Sequence, residues 1–160
     1  MLFRSAQMPP VAECPECGNP RPLFAQCPFC ASHEAPTLSV DTIEINLKQD
    51  QPLVEEALER LNQHLRDASA LGIKAIVLIH GYGSRGEGGN IKKAIHQALE
   101  SNYYSDRVHE YHFGETVPYG SPAYQALIKK RPGLKAHLQR FKSGNAGITV
   151  LLLKAPGMYV

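Results

Sequence analysis

The stretch IVLIHGYGSRGEGGNIKKAI, Ile76 to Ile95, decides the fold. Its opening belongs to the apolar run Ile73–His80, a strand covered on both faces. A loop of small residues follows. Then Ile91, Ala94, Ile95, Ala98 and Leu99 fall at helical spacing behind Asn90, a residue suited to cap. A helix between strands makes a crossover, so the sheet is parallel or mixed, and loops at C-terminal strand ends are its default site.

The loop GYGSRG, Gly81 to Gly86, fits Gly-x-Gly-x-x-Gly, the dinucleotide pattern. It follows the second strand, however. The acids about 20 residues later, Asp106 and Glu110, do not end a second βα strand. A phosphate-binding P-loop needs Gly-Lys-Ser/Thr, whereas Gly86 precedes Glu87. Two readings are left. One is a helix N-terminus whose free N–H groups, with Arg85, Lys92 and Lys93, contact backbone phosphates. The other is a tight turn with no ligand.

Upstream, Thr42–Leu47 alternates as a strand does. In DQPLVEEALERLNQHLRDASALG, Asp50 is placed to cap and Pro52 suits the first turn. Val54, Ala57, Leu58, Leu61, Leu65 and Ala68 form the buried stripe, Gly72 ends the helix, and His64 lies off the stripe, in solvent. Downstream, Arg107–Phe113 is a third strand. An insert at about 114–143 holds short helices over Pro122–Lys130 and Leu134–Phe141, and Gly147–Lys154 is the last strand. The order β-α-β-α-β-insert-β is an α/β fold with a mixed sheet.

All four cysteines lie in CPECGNPRPLFAQCPFC: Cys14, Cys17, Cys27 and Cys30. Two Cys-x-x-Cys turns facing each other make a closed thiolate site suited to structural zinc, with no open position for catalysis. The alternatives are two disulfides or a redox pair. The element resembles the zinc ribbons of ribosomal and other RNA-associated proteins. The polar linker Ala31–Asp41, with Pro36, separates it from the main domain. The domains expected are therefore 1–36, ribbon and linker, and 37–160, α/β.

No apolar run approaches the roughly 20 residues of a membrane span, and the start lacks a secretory core, so a cytoplasmic protein without membrane attachment is expected. Charge is uneven. Met1–Asp67 holds five Lys and Arg against ten Asp and Glu, net −5, and Ala68–Val160 holds twelve against five, net +7. That asymmetry fits a polyanion partner.

The residues now quoted resemble the Smr (small MutS-related) family. His80, Gly81 and Gly83 match its His-Gly-x-Gly signature, Val54–Leu65 resembles its first helix, and Gly144, Gly147 and Thr149 match its closing strand. The resemblance spans about Thr42 to Lys154. It implies a small two-layer α/β sandwich, similar to the C-terminal domain of bacterial translation initiation factor three. It also implies binding or cleavage of DNA or RNA, with the ribosome as a partner of some members. The family's first strand ends Leu-Asp-x-His-Gly, whose Asp and His are tied to nuclease activity. Here Ile43-Glu44-Ile45-Asn46-Leu47 stands there. Glu44 keeps a carboxylate, but Asn46 does not exchange protons near neutral pH. Tyr82 stands where many members have a basic residue.

The leading expectation is nucleic-acid binding, RNA favoured slightly over branched DNA because of the ribbon. The residues expected at the nucleic acid are His80, Gly81, Gly83, Arg85, Lys92, Lys93, Lys129, Lys130 and Arg131. The alternative is an Smr-type endonuclease using His80 and Glu44, which can meet across neighbouring strands, with Mg or Mn. A protein-interaction scaffold is the third.

Overall fold

In the computed structural model Ala75–Ile79 (β4) is the strand around which the domain is built. The structure describes residues 12–22, 25–34, 36–38, 40–47, 53–81, 87–141 and 147–154, without the side chains of 37 and 87–89. Asp50 and Pro52, expected to start the first helix, and Tyr82, Gly83, Arg85, Gly86, Lys142 and Gly144 lie outside the described residues.

The chain forms two compact units, 1–40 and 41–160. In the first, Ala12–Glu13 (β1) pairs antiparallel with Thr37–Leu38 (β2). That pairing carries the unit past the expected boundary at 36, because β2 completes the hairpin that begins before the cysteines.

In the second unit, Thr42–Asn46 (β3) runs parallel to β4, with Glu44 opposite Val77 and Asn46 opposite Ile79. Ile148–Leu153 (β6) is antiparallel to β4 and to Val108–Phe113 (β5), giving the order β3-β4-β6-β5. All six residues of β6 are buried, as a strand covered on both faces requires. The mixed α/β sheet expected from the element order is the one observed.

Val54–Ala70 (α1) buries Ala57, Leu61, Leu65 and Ala68, four of the six stripe residues. Its N-terminus is fixed by Glu56, whose carboxylate accepts the Leu53 N–H at 3.0 Å. Gly72, at φ +82°, turns the chain after it. His64 is half-buried rather than solvated, and burial lowers its basicity. Glu87–Glu100 (α2) starts ahead of Asn90, so that residue lies inside the helix rather than at its cap. Gly88 and Gly89 enter its first turn despite a propensity cost of about 1 kcal/mol each.

The insert supplies Pro122–Lys130 (α3), Leu134–Leu138 (α4) and a 3-10 turn, Gln139–Phe141. Ser121 caps α3 by accepting the Tyr124 N–H at 3.1 Å. Tyr124 and Leu127 of α3, Leu134 and Leu138 of α4 and Val117 pack on Ala75, Val77, Ile148, Val150 and Leu152. Strand residues alternate in facing, so Ile76, Leu78 and His80 point to the opposite side, where His80 meets His96 of α2. The insert thus adds a second helical layer to the two-layer sandwich. Among the described residues no helix is long and apolar enough to cross a membrane.

Candidate functional site

The Cys-x-x-Cys segments fold as expected of metal knuckles. The Gly18 N–H donates to the Cys14 carbonyl and the Ala31 N–H to the Cys27 carbonyl, both at 2.8 Å. The Phe29 N–H points at Cys27 Sγ at 3.4 Å, and Asn19 donates to Cys17 Sγ at 3.4 Å. The Arg21 guanidinium, buried, ties the carbonyls of Glu34 and Ala25 together beneath them.

The four sulfurs lie within 4.8 Å of one another, Cys14 to Cys30 at 3.5 Å and Cys17 to Cys27 at 3.6 Å. Disulfide sulfurs sit at about 2.05 Å. Tetrahedral Zn–S bonds of ~2.3 Å put sulfurs about 3.8 Å apart, so the cluster fits such an ion. Protonation is split across it. At Cys14 burial raises the thiol, but the backbone N–H groups of Cys17 and Glu16 outweigh it and bring it down to about 6. At Cys30 the Ser32 N–H lowers the thiol, but contact with Cys14, burial and the other two sulfurs together outweigh it, up to about 12. Four adjoining thiolates need a cation between them. Among the described residues no other group of three His, Cys, Asp or Glu ligands converges, and none suits magnesium or manganese.

At the end of β4 the backbone N–H groups of His80 and Gly81 both donate to the Gly147 carbonyl at 3.0 Å. Gly81 turns away at φ +72°, a conformation glycine adopts freely. His80 is 0% exposed. Its Nδ1 is 2.7 Å from the Gly81 carbonyl and its Nε2 is 2.8 Å from Thr149 Oγ1. A carbonyl only accepts, so Nδ1 carries the proton and Nε2 accepts the Thr149 hydroxyl. Burial, first among the causes, pushes the imidazole down to about 4. This seat withdraws the ring from any ligand at the surface.

Glu44 does not meet His80. It faces the α3–α4 side with Val77, and His80 faces the α2 side. Glu44 instead receives two side chains from the insert. His137 Nδ1 lies 2.7 Å from Oε2, and Arg140 Nη1 lies 2.6 Å from Oε1 and 2.5 Å from Oε2. Burial raises the Glu44 carboxyl, but the bonds from His137 and Arg140 outweigh it and hold it below the ordinary range. Asn46, two residues on, faces the same side of β3. Sequence reading found Glu44 but not that His137 and Arg140 reach it, because those contacts span 93 and 96 residues.

Of the expected basic surface, Lys92 pairs with Glu115 at 3.2 Å and Lys130 with Glu110 at 2.9 Å. Arg131 donates to the Lys130 carbonyl at 3.0 Å. Lys93, Lys129 and Lys135 are exposed, and among the described residues no carboxylate pairs with them.

The sequence model of the Smr domain family matches residues 51–129. Among solved structures, the chain is similar to the crystal structure of the Smr domain of Thermus thermophilus MutS2. The identity is 27%, the match covers 69% of this chain and 96% of that one, and the TM-score is 0.43. No curated protein matches the chain. With the first helix, the crossing strand and the His-Gly turn at the matched positions, residues 51–129 of this chain belong to the Smr domain family, a family associated with nucleic-acid binding and nuclease activity.

Proposed function

We propose that the chain binds nucleic acid, RNA in preference to DNA, through the lysines of α2 and the insert, and that the cysteine cluster holds one structural zinc. The observation that carries the reading is the set of exposed cations Lys93, Lys129 and Lys135, lacking carboxylate partners among the described residues in a segment of net charge +7. Unpaired surface lysines attract phosphates without having to break an ion pair first, and each phosphate neutralised releases a counterion. Arg131 extends the same surface, and Arg85, which lies outside the described residues, is a further candidate contact. His80 acts here as the lock of the loop, with Gly81 and Thr149 as its partners, and not as a contact. Ribosomal RNA is one target of this kind.

The test is a binding titration with single-stranded RNA and DNA of one sequence across rising salt. Affinity should fall steeply with salt. Replacing Lys93, Lys129 and Lys135 together by Gln should lower the magnitude of the log–log slope by about 2, since each single-strand phosphate contact contributes ~0.7. Unchanged affinity and slope in that variant would place the binding surface elsewhere. Salt-independent capture of a protein partner would favour a scaffold instead.

A further inference from the structure

At the β5 edge of the sheet a cavity of about 240 Å³ opens beside the end of α2 and the turn over residues 101–107. The buried part of its lining is apolar, with Leu99, Val108 and the ring of Tyr104, which is 2% exposed. The Tyr104 hydroxyl is the exception. It is buried, and it has no hydrogen-bond partner among the described residues. Proteins pair nearly all such groups, since an unpaired one costs free energy. Burial, with Tyr103 beside it, pushes the phenol up to about 12, so it stays a protonated donor. The walls are set by backbone. The turn is closed by the Val108 N–H, which donates to the Tyr104 carbonyl at 2.8 Å, and Asn102 takes a left-handed φ of +62°. In β5, Val108 lies opposite Leu153 and Glu110 opposite Leu152, so His109 is the extra residue of a β-bulge. Bulges of this kind re-aim a side chain at a site.

We propose that this cavity binds one nucleoside monophosphate, free or as the terminal nucleotide of an RNA strand, with the Tyr104 hydroxyl as its buried donor and Lys154 as its phosphate partner. The free-nucleotide form stands apart from the RNA-binding reading above, and the strand-end form rests on it. The lining selects the chemistry. Asn102, His109 and Lys154 bring donors and a cation, and among the described residues no carboxylate lines the cavity. Such a lining takes an anion and has nothing to receive an amine. The tyrosine rings of Tyr104 and half-buried Tyr111 favour a flat ring beside the anionic group. A nucleotide has both parts, a base whose face stacks on an aromatic side chain and a phosphate for the lysine. The Asn102 amide, donor and acceptor at once, suits the edge of a base. Size sets the upper limit. The cavity holds about eight waters at roughly 30 Å³ each, below the ~300–1,000 Å³ of pockets for drug-sized ligands, so it takes one nucleotide and not a dinucleotide.

AMP, GMP, CMP and UMP are each titrated into the full chain by calorimetry, with the matching nucleosides and inorganic phosphate as controls. At least one monophosphate should bind saturably, with its nucleoside and phosphate about tenfold weaker or worse, the loss of one charge-assisted hydrogen bond. Tyr104→Phe removes only the hydroxyl. It should weaken the nucleotide about tenfold and leave the empty protein at least as stable, because the hydroxyl has no partner to lose. Lys154→Gln should weaken the monophosphate about tenfold and leave the nucleoside unchanged. The bound nucleotide is then challenged with single-stranded RNA ending in a 5′-phosphate and with the same strand ending in a 5′-hydroxyl. Displacement by the phosphorylated strand alone assigns the site to RNA ends, and displacement by neither assigns it to free nucleotide. Displacement by both alike would put the nucleotide on the general RNA surface and overturn the proposal. No saturable binding of any monophosphate at millimolar concentration, or full affinity in Tyr104→Phe, would overturn it too. The first titration uses the unmodified protein, so it decides even if a variant fails to fold, and it decides whether or not the chain binds RNA.

Discussion

With Nδ1–H given to the Gly81 carbonyl and Nε2 receiving the Thr149 hydroxyl, His80 is a neutral ring inside the protein. Protonation would remove the acceptor and place a charge where water does not reach. Its depressed basicity has a definite sign for stability. Unfolded, the ring takes a proton below its ordinary value of about 6.5, while folded it resists until about 4. The stability this group contributes is therefore whole above pH ~6.5 and is lost as pH falls toward 4, up to about 3 kcal/mol. Melting temperature followed from pH 7 to pH 4.5 should drop, and the drop should be smaller in His80→Gln. Thr149→Val, which leaves Nε2 without its donor, should cost about 1–3 kcal/mol in urea unfolding at pH 7. The sequence displays His80 beside its glycines but not its partner. Thr149 is 69 residues away, and only the antiparallel pairing of β4 with β6 brings it there.

At the scale of elements, α4 is placed by a residue with no side chain. A Cβ on Gly133 would sit 2.8 Å from Thr42 Oγ1 and 2.9 Å from Asp41 Oδ1. Thr42 is buried and β-branched, so it has little room to yield. Gly133→Ala should push α4 off β3, with a cost of about 1–3 kcal/mol as in other overpacked sites. It should also separate His137 from Glu44. Loss of the hydrogen-bonded His137 Nδ1–H resonance from the NMR spectrum of the variant would show it. Both insert helices were expected from the sequence, over Pro122–Lys130 and Leu134–Phe141, the second passing into a 3-10 turn at Gln139. The sheet face they cover was not, because helices this short show which side is apolar and not what lies against it. That is also why the sequence alone suggests a pairing of Glu44 with His80. Neighbouring strands put the two in reach, and only the facing of each side chain separates them. Asn46 stands where the resemblance to the family leads to the expectation of a histidine. An imidazole nonetheless reaches Glu44, from position 137, beyond the residues that the family model matches.

For the whole molecule, the chain divides into its two compact units between Val40 and Asp41. One zinc per chain is expected by metal analysis of protein purified without chelator. Cys27→Ser should release it and unfold the first unit, since the closed cluster holds that short segment together. The second unit has its own core, so the main unfolding transition should keep its midpoint within about 1 kcal/mol, by calorimetry. The metal site was the most legible part of the chain, because four cysteines in two spaced pairs carry geometry in their sequence alone. The hairpin that extends the unit to Val40 was hidden, as β1 and β2 are two residues each and show no periodicity.

The strand order has a consequence for how such a chain is made. β6 lies between β4 and β5, yet among the described strands it is the last to leave the ribosome. Until residues 148–153 emerge, the nascent chain carries two sheet fragments whose inner edges and apolar faces have nothing to pair with. Unpaired edges of this kind associate with one another. The newborn polypeptide is thus a client for chaperones until its final strand arrives, and messages truncated just short of Ile148 should yield aggregates rather than a smaller folded protein.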